Sequence, residues 1–137
     1  ECVTFLNKKC GVLGINGVSP DMRDNEEEAE KGNERAQLVY SMLGHRIKKY
    51  IGAYFALLNG VDALVFTGGV GENDAVVREL ATNNLDAMGI VLDKEKNSHC
   101  PRGTNEVLST SDSKVKIFRI PTNEELVIAR DTLSLTK

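Results

Sequence analysis

A chain of 137 residues falls within the usual span of one domain, about 100 to 200 residues, so at most one domain with one core is expected. Apolar residues make up 41% and charged residues 27%, which excludes disorder, collagen and a coiled-coil rod. With 17 basic against 20 acidic side chains, the net charge of -3 leaves no positive field for a polyphosphate backbone, and nucleic acid is not expected as a partner. No apolar run approaches the length of a membrane span, and no basic-then-apolar leader opens the chain. The expectation is a cytoplasmic protein without membrane contact. Cys2, Cys10 and Cys100 are odd in number and lack metal-type spacing, which fits reduced, structural thiols.

Residues 1 to 24 are rich in Gly and turn formers (Gly11, Gly14, Gly17, Ser19-Pro20-Asp21), and mostly loop is expected there. The charged run Asn25 to Lys31 ends at Gly32-Asn33, where Gly can close one helix and Asn can cap the next. Ala36, Tyr40, Leu43, Ile47, Ile51, Tyr54 and Leu58 then recur at spacings of three and four. This is one face of a long helix from Asn33 to Asn59, stopped by Gly60. Glu34, Arg35, Arg46, Lys48 and Lys49 form its opposite, solvated face.

Asp62 to Thr67 is apolar at both parities, the pattern of a strand covered on both sides. Gly68-Gly69-Val70-Gly71-Glu72-Asn73 breaks it as a glycine loop, and a helix from about Asp74 to Asp86 follows with Val76, Val77, Leu80 and Leu85 inward. Gly89 to Leu92 reads as a short strand, and 94 to 112 as connection. Val115 to Ile120 alternates Val115, Ile117 and Arg119 against Lys116, Phe118 and Ile120, so one more strand is expected before a last helix through about Leu133. Strands alternating with helices argue for an α/β domain with few strands.

The glycine loop would present bare N–H groups at the carboxyl end of a strand, which suits an anion, and a Cβ there would block close approach. No Gly-Lys-Ser or Gly-Lys-Thr follows, and the third glycine of a dinucleotide fingerprint is replaced by Asp74. On residues alone, phosphate contact and a plain tight turn weigh equally. Glu72 would repel phosphate there unless a cation or an outward rotation intervenes, and Asn73 suits a helix cap. Thr122-x-x-Glu125 has capping-box spacing, which gives Glu125 a structural role. Glu124 beside it is placed either to hold a hard cation such as Mg²⁺ or only to complement the helix dipole. Asp21 and Arg23 are either an adenosine clamp or a solvated ion pair. His45 and His99 lack a nucleophile partner and are taken as structural or surface residues.

Three blocks together resemble the acetate kinase family: Gly14-Ile15-Asn16-Gly17-Val18-Ser19-Pro20-Asp21-Met22-Arg23-Asp24, Phe66-Thr67-Gly68-Gly69-Val70-Gly71-Glu72-Asn73, and Ile120-Pro121-Thr122-Asn123-Glu124-Glu125-Leu126. Arg46 to Tyr54 is similar to the family's long helix. The resemblance covers essentially the whole chain but only about the last third of a family member, which implies a single, incomplete C-terminal domain over residues 1–137. The implied fold is the C-terminal part of a ribonuclease H-like, actin-like ATPase domain, with a short mixed sheet flanked by helices.

The implied activity is reversible, Mg²⁺-dependent transfer of the ATP terminal phosphoryl group to acetate, giving acetyl phosphate and ADP, by a homodimer. By resemblance, Asp21, Met22 and Arg23 match the adenosine-contacting Asp-Phe-Arg, with Met22 in place of Phe. Gly71, Glu72, Asn73, Asp74 and Ala75 match the nucleotide loop, and Glu124 the magnesium-site glutamate. The family's catalytic aspartate, its arginines and its histidines would lie before Glu1, so no catalytic residue is assigned and this chain is expected to be inactive alone. The alternative is a non-catalytic interaction or dimerisation module. A third reading is an intact small βαβ binding protein.

Overall fold

The computed structural model describes residues 1–136. Its helices are α1 (Cys2–Lys9), α2 (Val12–Asn16), α3 (Met22–Glu30), α4 (Glu34–Leu57), α5 (Gly68–Asn73), α6 (Ala75–Thr82), α7 (Lys94–Ser98) and α8 (Glu124–Leu135). Its strands are β1 (Ala63–Phe66), β2 (Glu106–Val107) and β3 (Lys116–Arg119). No described helix is long and apolar enough to cross a membrane.

The expected loop before Asp24 is instead two helices and the start of a third. Its glycines punctuate helices rather than dissolve them: Gly11 (φ 72°) turns the chain before α2, and Gly17 (φ 73°) closes α2 in the left-handed region. Arg35 of α4 donates from Nε to Ile15 O (2.5 Å) and from its terminal nitrogen to Gly14 O (3.3 Å), satisfying carbonyls at the end of α2. Buried Asn16 donates to Asn25 Oδ1 (3.0 Å), and Asn25 donates to Ala36 O (3.1 Å). These bonds lock α2, α3 and α4 together and so fix where α3 begins.

The long helix is present, with Asn33 as its cap accepting from the amides of Arg35 and Ala36. The expected stripe is inward at Ala36 and Tyr40 and half-buried at Leu43, Ile47 and Ile51. Beyond that Tyr54 and Leu58 face out and Phe55 packs on the core, because the sheet is reached by the i+4 step from Ile51. Gly44 lies on α4 directly against Leu80 of α6.

The sheet is mixed, in the order β1-β3-β2. β1 and β3 run parallel with Phe66 opposite Arg119, and β2 pairs antiparallel with β3. The core beneath it comprises Phe66, Ala81, Leu85, Ile90, Leu108, Val115 and Ile117. β1 is not covered on both sides in this chain, since Val65 is 46% exposed.

The strand expected at 89 to 92 reduces to one bridge, Leu92 to Ser109. Gly89 is left-handed (φ 75°), and its neighbours bond a loop instead: Val91 N donates to Ser113 Oγ (3.1 Å) and Thr110 N to Val91 O (3.1 Å). The 94 to 112 connection holds α7 and β2. The helix expected through Asp86 ends at Thr82, where Asn83 turns extended and Asn84 left-handed. Val76 faces solvent, while Val77, Arg78, Ala81 and Thr82 are buried.

Candidate functional site

Parallel pairing of β1 and β3 sets two strand-to-helix junctions side by side at the carboxyl edge of the sheet, the place where open α/β sheets bind ligands. Ile120 N donates to Phe66 O (3.0 Å), closing the last rung before both chains turn away.

The first junction corrects an expectation. Gly68 to Asn73 is the short helix α5, not an open loop. Gly68 (φ 71°) allows the turn out of β1, and at Gly71 a Cβ would lie 3.3 Å from the Phe66 backbone, a tight contact that glycine avoids. Asn73 caps nothing, since its side-chain amide donates to Gly69 O (2.9 Å). Asp74 caps α6 by accepting from Val77 N (2.9 Å). Half-buried Ala75 offers its carbonyl to Asn97 Nδ2 (2.9 Å).

Glu72 ties the two junctions together. Its Oε1 accepts from Thr122 N (2.7 Å), Thr122 Oγ1 (2.9 Å) and Gly68 N (2.9 Å). One carboxylate therefore staples the two junctions together, and the Thr122 and Gly68 donors hold its carboxyl below the usual range. With its charge met by three donors, its repulsion of phosphate is weakened.

The second junction corrects the capping box. Thr122 bonds Glu72, the α8 cap is Asn123, which accepts from Leu126 N (3.0 Å), and Glu125 makes no capping bond. Glu124 is exposed in the first turn of α8. Among the described residues no three His, Cys, Asp or Glu side chains converge on a metal position, and Glu124 shares the first turn of α8 with Glu125. An exposed carboxylate such as that of Glu124 suits Mg²⁺, which retains waters and takes its other oxygens from bound phosphates.

Asp21 caps α3, accepting from Arg23 N (2.9 Å), and forms a two-pronged pair with the Arg23 guanidinium (3.1 and 2.6 Å). That pairing holds the Asp21 carboxyl down to about 2. Met22 is half-buried, and the Arg23 side chain is 87% exposed.

A groove of about 330 Å³ lies between α3 and α6, with Glu26, Ala29 and Glu30 on one wall, Val76 and Leu80 on the other, and Tyr40 of α4 in its lining. The Tyr40 hydroxyl is buried without a hydrogen-bond partner. Burial, with Asp74 and Glu26 nearby, raises its pKa, and burial with Asp74 also raises that of Glu26. A larger cavity, about 750 Å³ between α2 and α4, shares no residue with either junction.

The acetokinase family model matches residues 1–130. The chain belongs to the acetokinase family. It is 55% identical over 136 residues to the acetate kinase of Clostridium botulinum, covering 99% of this chain and 34% of that protein. It superposes on the crystal structure of Porphyromonas gingivalis acetate kinase with a TM-score of 0.88 at 49% identity, covering 98% of this chain and 34% of that one. A propionate kinase from Francisella tularensis gives 0.81 at 39% identity, covering 93% and 32%. The fold is thus the family's actin-like ATPase architecture. The chain spans about a third of the length of the curated relatives it matches.

Within this member of the family, the Glu72 staple joins the Gly71 segment to the Glu124 segment, and Asp74 lies near Tyr40, which lines the groove that α3 borders. Reasoning from the sequence missed Arg78, Asn97 and the staple. Arg119 was legible on the inward parity of its strand, but the contacts of all four depend on partners far along the chain.

Proposed function

We propose that residues 1–137 supply the nucleotide-holding side of an acetate kinase, a cytoplasmic homodimer that moves the γ-phosphoryl group of ATP to acetate. The observation that carries this reading is the Glu72 staple, which couples a glycine-rich strand-to-helix turn to the junction bearing Glu124. The nucleotide would meet Gly71 to Ala75 along its phosphates and Asp21, Met22 and Arg23 at its adenosine end. Glu124 would hold Mg²⁺, which when bound neutralises phosphate charge.

In the reaction an acetate carboxylate oxygen attacks the γ-phosphorus in line. One O–P bond forms, the bond to the β-γ bridging oxygen breaks, and ADP leaves with that electron pair. Acetate is already an anion at pH 7, so no base is needed, and screening of charge does the catalytic work. The residues that bind acetate and flank the moving phosphoryl group would come from the remaining two thirds of a full-length relative. The isolated chain is therefore expected to make no acetyl phosphate.

Isothermal titration of the chain with MgADP tests this. Saturable heat that disappears with Arg23→Ala or Gly71→Val supports the reading, and silence refutes it. A second reading, an interaction module, is favoured by one observation: Leu126, Val127, Ile128, Leu133 and Leu135 of α8 are all exposed. Silence with MgADP combined with concentration-dependent dimerisation in sedimentation would favour that reading.

A further inference from the structure

Arg78 and Asn97 are each 2% exposed, and no carboxylate partners Arg78 among the described residues. Burying an unpaired guanidinium is costly, and its placement asks for a reason beyond filling space. The hydrogen bonds supply one. Arg78 donates from one terminal nitrogen to Gly71 O (2.9 Å) and Glu72 O (3.0 Å), and from Nε to Asn97 Oδ1 (2.6 Å). Its other terminal nitrogen reaches Asn97 O (3.2 Å). Asn97 in turn donates from Nδ2 to Ala75 O (2.9 Å).

Residues 71 to 75 are thus gripped at both ends from the protein side, by two buried side chains bonded to each other. Gly71 and Glu72 lie at the end of α5, where carbonyls lack helical partners, and α6 begins at Ala75. Without this grip the break between the two helices at Asp74 would be free to change the direction of α5. Asn97 anchors the assembly to α7, which capping by Asp93 (3.1 Å to Lys96 N) holds in shape.

We infer that Arg78 and Asn97 form a buried clamp that sets the backbone of residues 71–75 for the nucleotide, an inference that rests on the nucleotide reading above. They are positioning residues, since neither needs to touch the ligand. Lys at position 78 cannot replace Arg, because one ammonium does not span Gly71, Glu72 and Asn97 together.

The test is MgADP affinity of Arg78→Lys, Asn97→Ala and the double variant, measured by titration at a temperature where circular dichroism shows each fully folded. Each single variant is expected to bind about tenfold more weakly, with faster amide exchange confined to residues 71–75. The double variant is expected to lose no more than the weaker single one, because either change opens the same clamp. Should Arg78→Lys fail to fold, Asn97→Ala alone decides the matter. Affinities within twofold of the unsubstituted chain, or losses that multiply, overturn the inference while leaving nucleotide binding intact. Silence of the unsubstituted chain overturns both.

Discussion

Replacing Gly44 and Gly52 with alanine makes the same change twice on α4 with opposite expected signs. At Gly44 an added Cβ would sit 2.5 Å from Leu80 Cβ and 3.3 Å from the Leu80 carbonyl carbon. Carbon atoms pack best at about 3.5 to 4.0 Å, so α4 and α6 must separate by about 1 Å, and no rotamer change moves a Cβ out of the way. Overpacking of this kind costs about 1 to 3 kcal/mol, and a fixed Cβ–Cβ clash belongs near the top of that range. Alanine returns about 1 kcal/mol of helix propensity, leaving Gly44→Ala about 2 kcal/mol less stable. At Gly52 an added Cβ meets nothing within 4 Å, so only the propensity acts, and Gly52→Ala should gain up to about 1 kcal/mol. Urea unfolding followed by circular dichroism measures both. With a slope of about 2 kcal/mol per M, the two midpoints should differ by about 1.5 M on opposite sides of the unsubstituted chain. Shifts in the same direction, or a Gly44→Ala midpoint within about 0.2 M of the parent, would refute the close approach of α4 and α6.

Two further outcomes follow from the strand-end geometry. The Glu72 carboxyl is depressed below its ordinary 4.5, so its stabilisation is present above that value and is lost as pH falls through the lower folded value. The melting-temperature gap between the unsubstituted chain and Glu72→Gln should therefore be open at pH 6 and close below pH 4.5; a gap constant from pH 3 to 7 would refute the staple. Gly68→Ala should cost about 1 to 2 kcal/mol from left-handed backbone strain alone, since its Cβ meets nothing within 4 Å. Gly68→Asn should recover part of that loss in the same urea assay, and equal losses for the two would point to a steric cause instead.

What the residues reveal in order along the chain is mostly local. The Ala36 to Ile51 spacing specifies α4, Asn33 specifies its start, and the parity of Val115, Ile117 and Arg119 specifies β3 and its buried face. Glycine content misled twice. Residues 1 to 24 and 68 to 73 both read as loop, yet Gly11, Gly17 and Gly68 serve as turns at helix ends, and Gly71 packs inside α5 against Phe66. Thr122-x-x-Glu125 failed as a capping box for a different reason: the Thr122 amide and hydroxyl both found Glu72, which bonds them to a carboxylate that also holds Gly68. Short-range spacing cannot register a competitor from another element.

The chain's own pattern of residues determined an α/β fold with one long helix, and the three matching blocks carried the family. Tertiary structure alone decided how the site is assembled. Glu72 and Thr122 are 50 residues apart, and Arg78 and Asn97 are 19 apart, so each pairing waits on the parallel register of β1 with β3 and on the burial of α6 against α4 and α7. Local propensities repeat every two or every 3.6 residues and set what each segment becomes. Which polar groups meet is set by the requirement that those taken from water find partners across the whole fold.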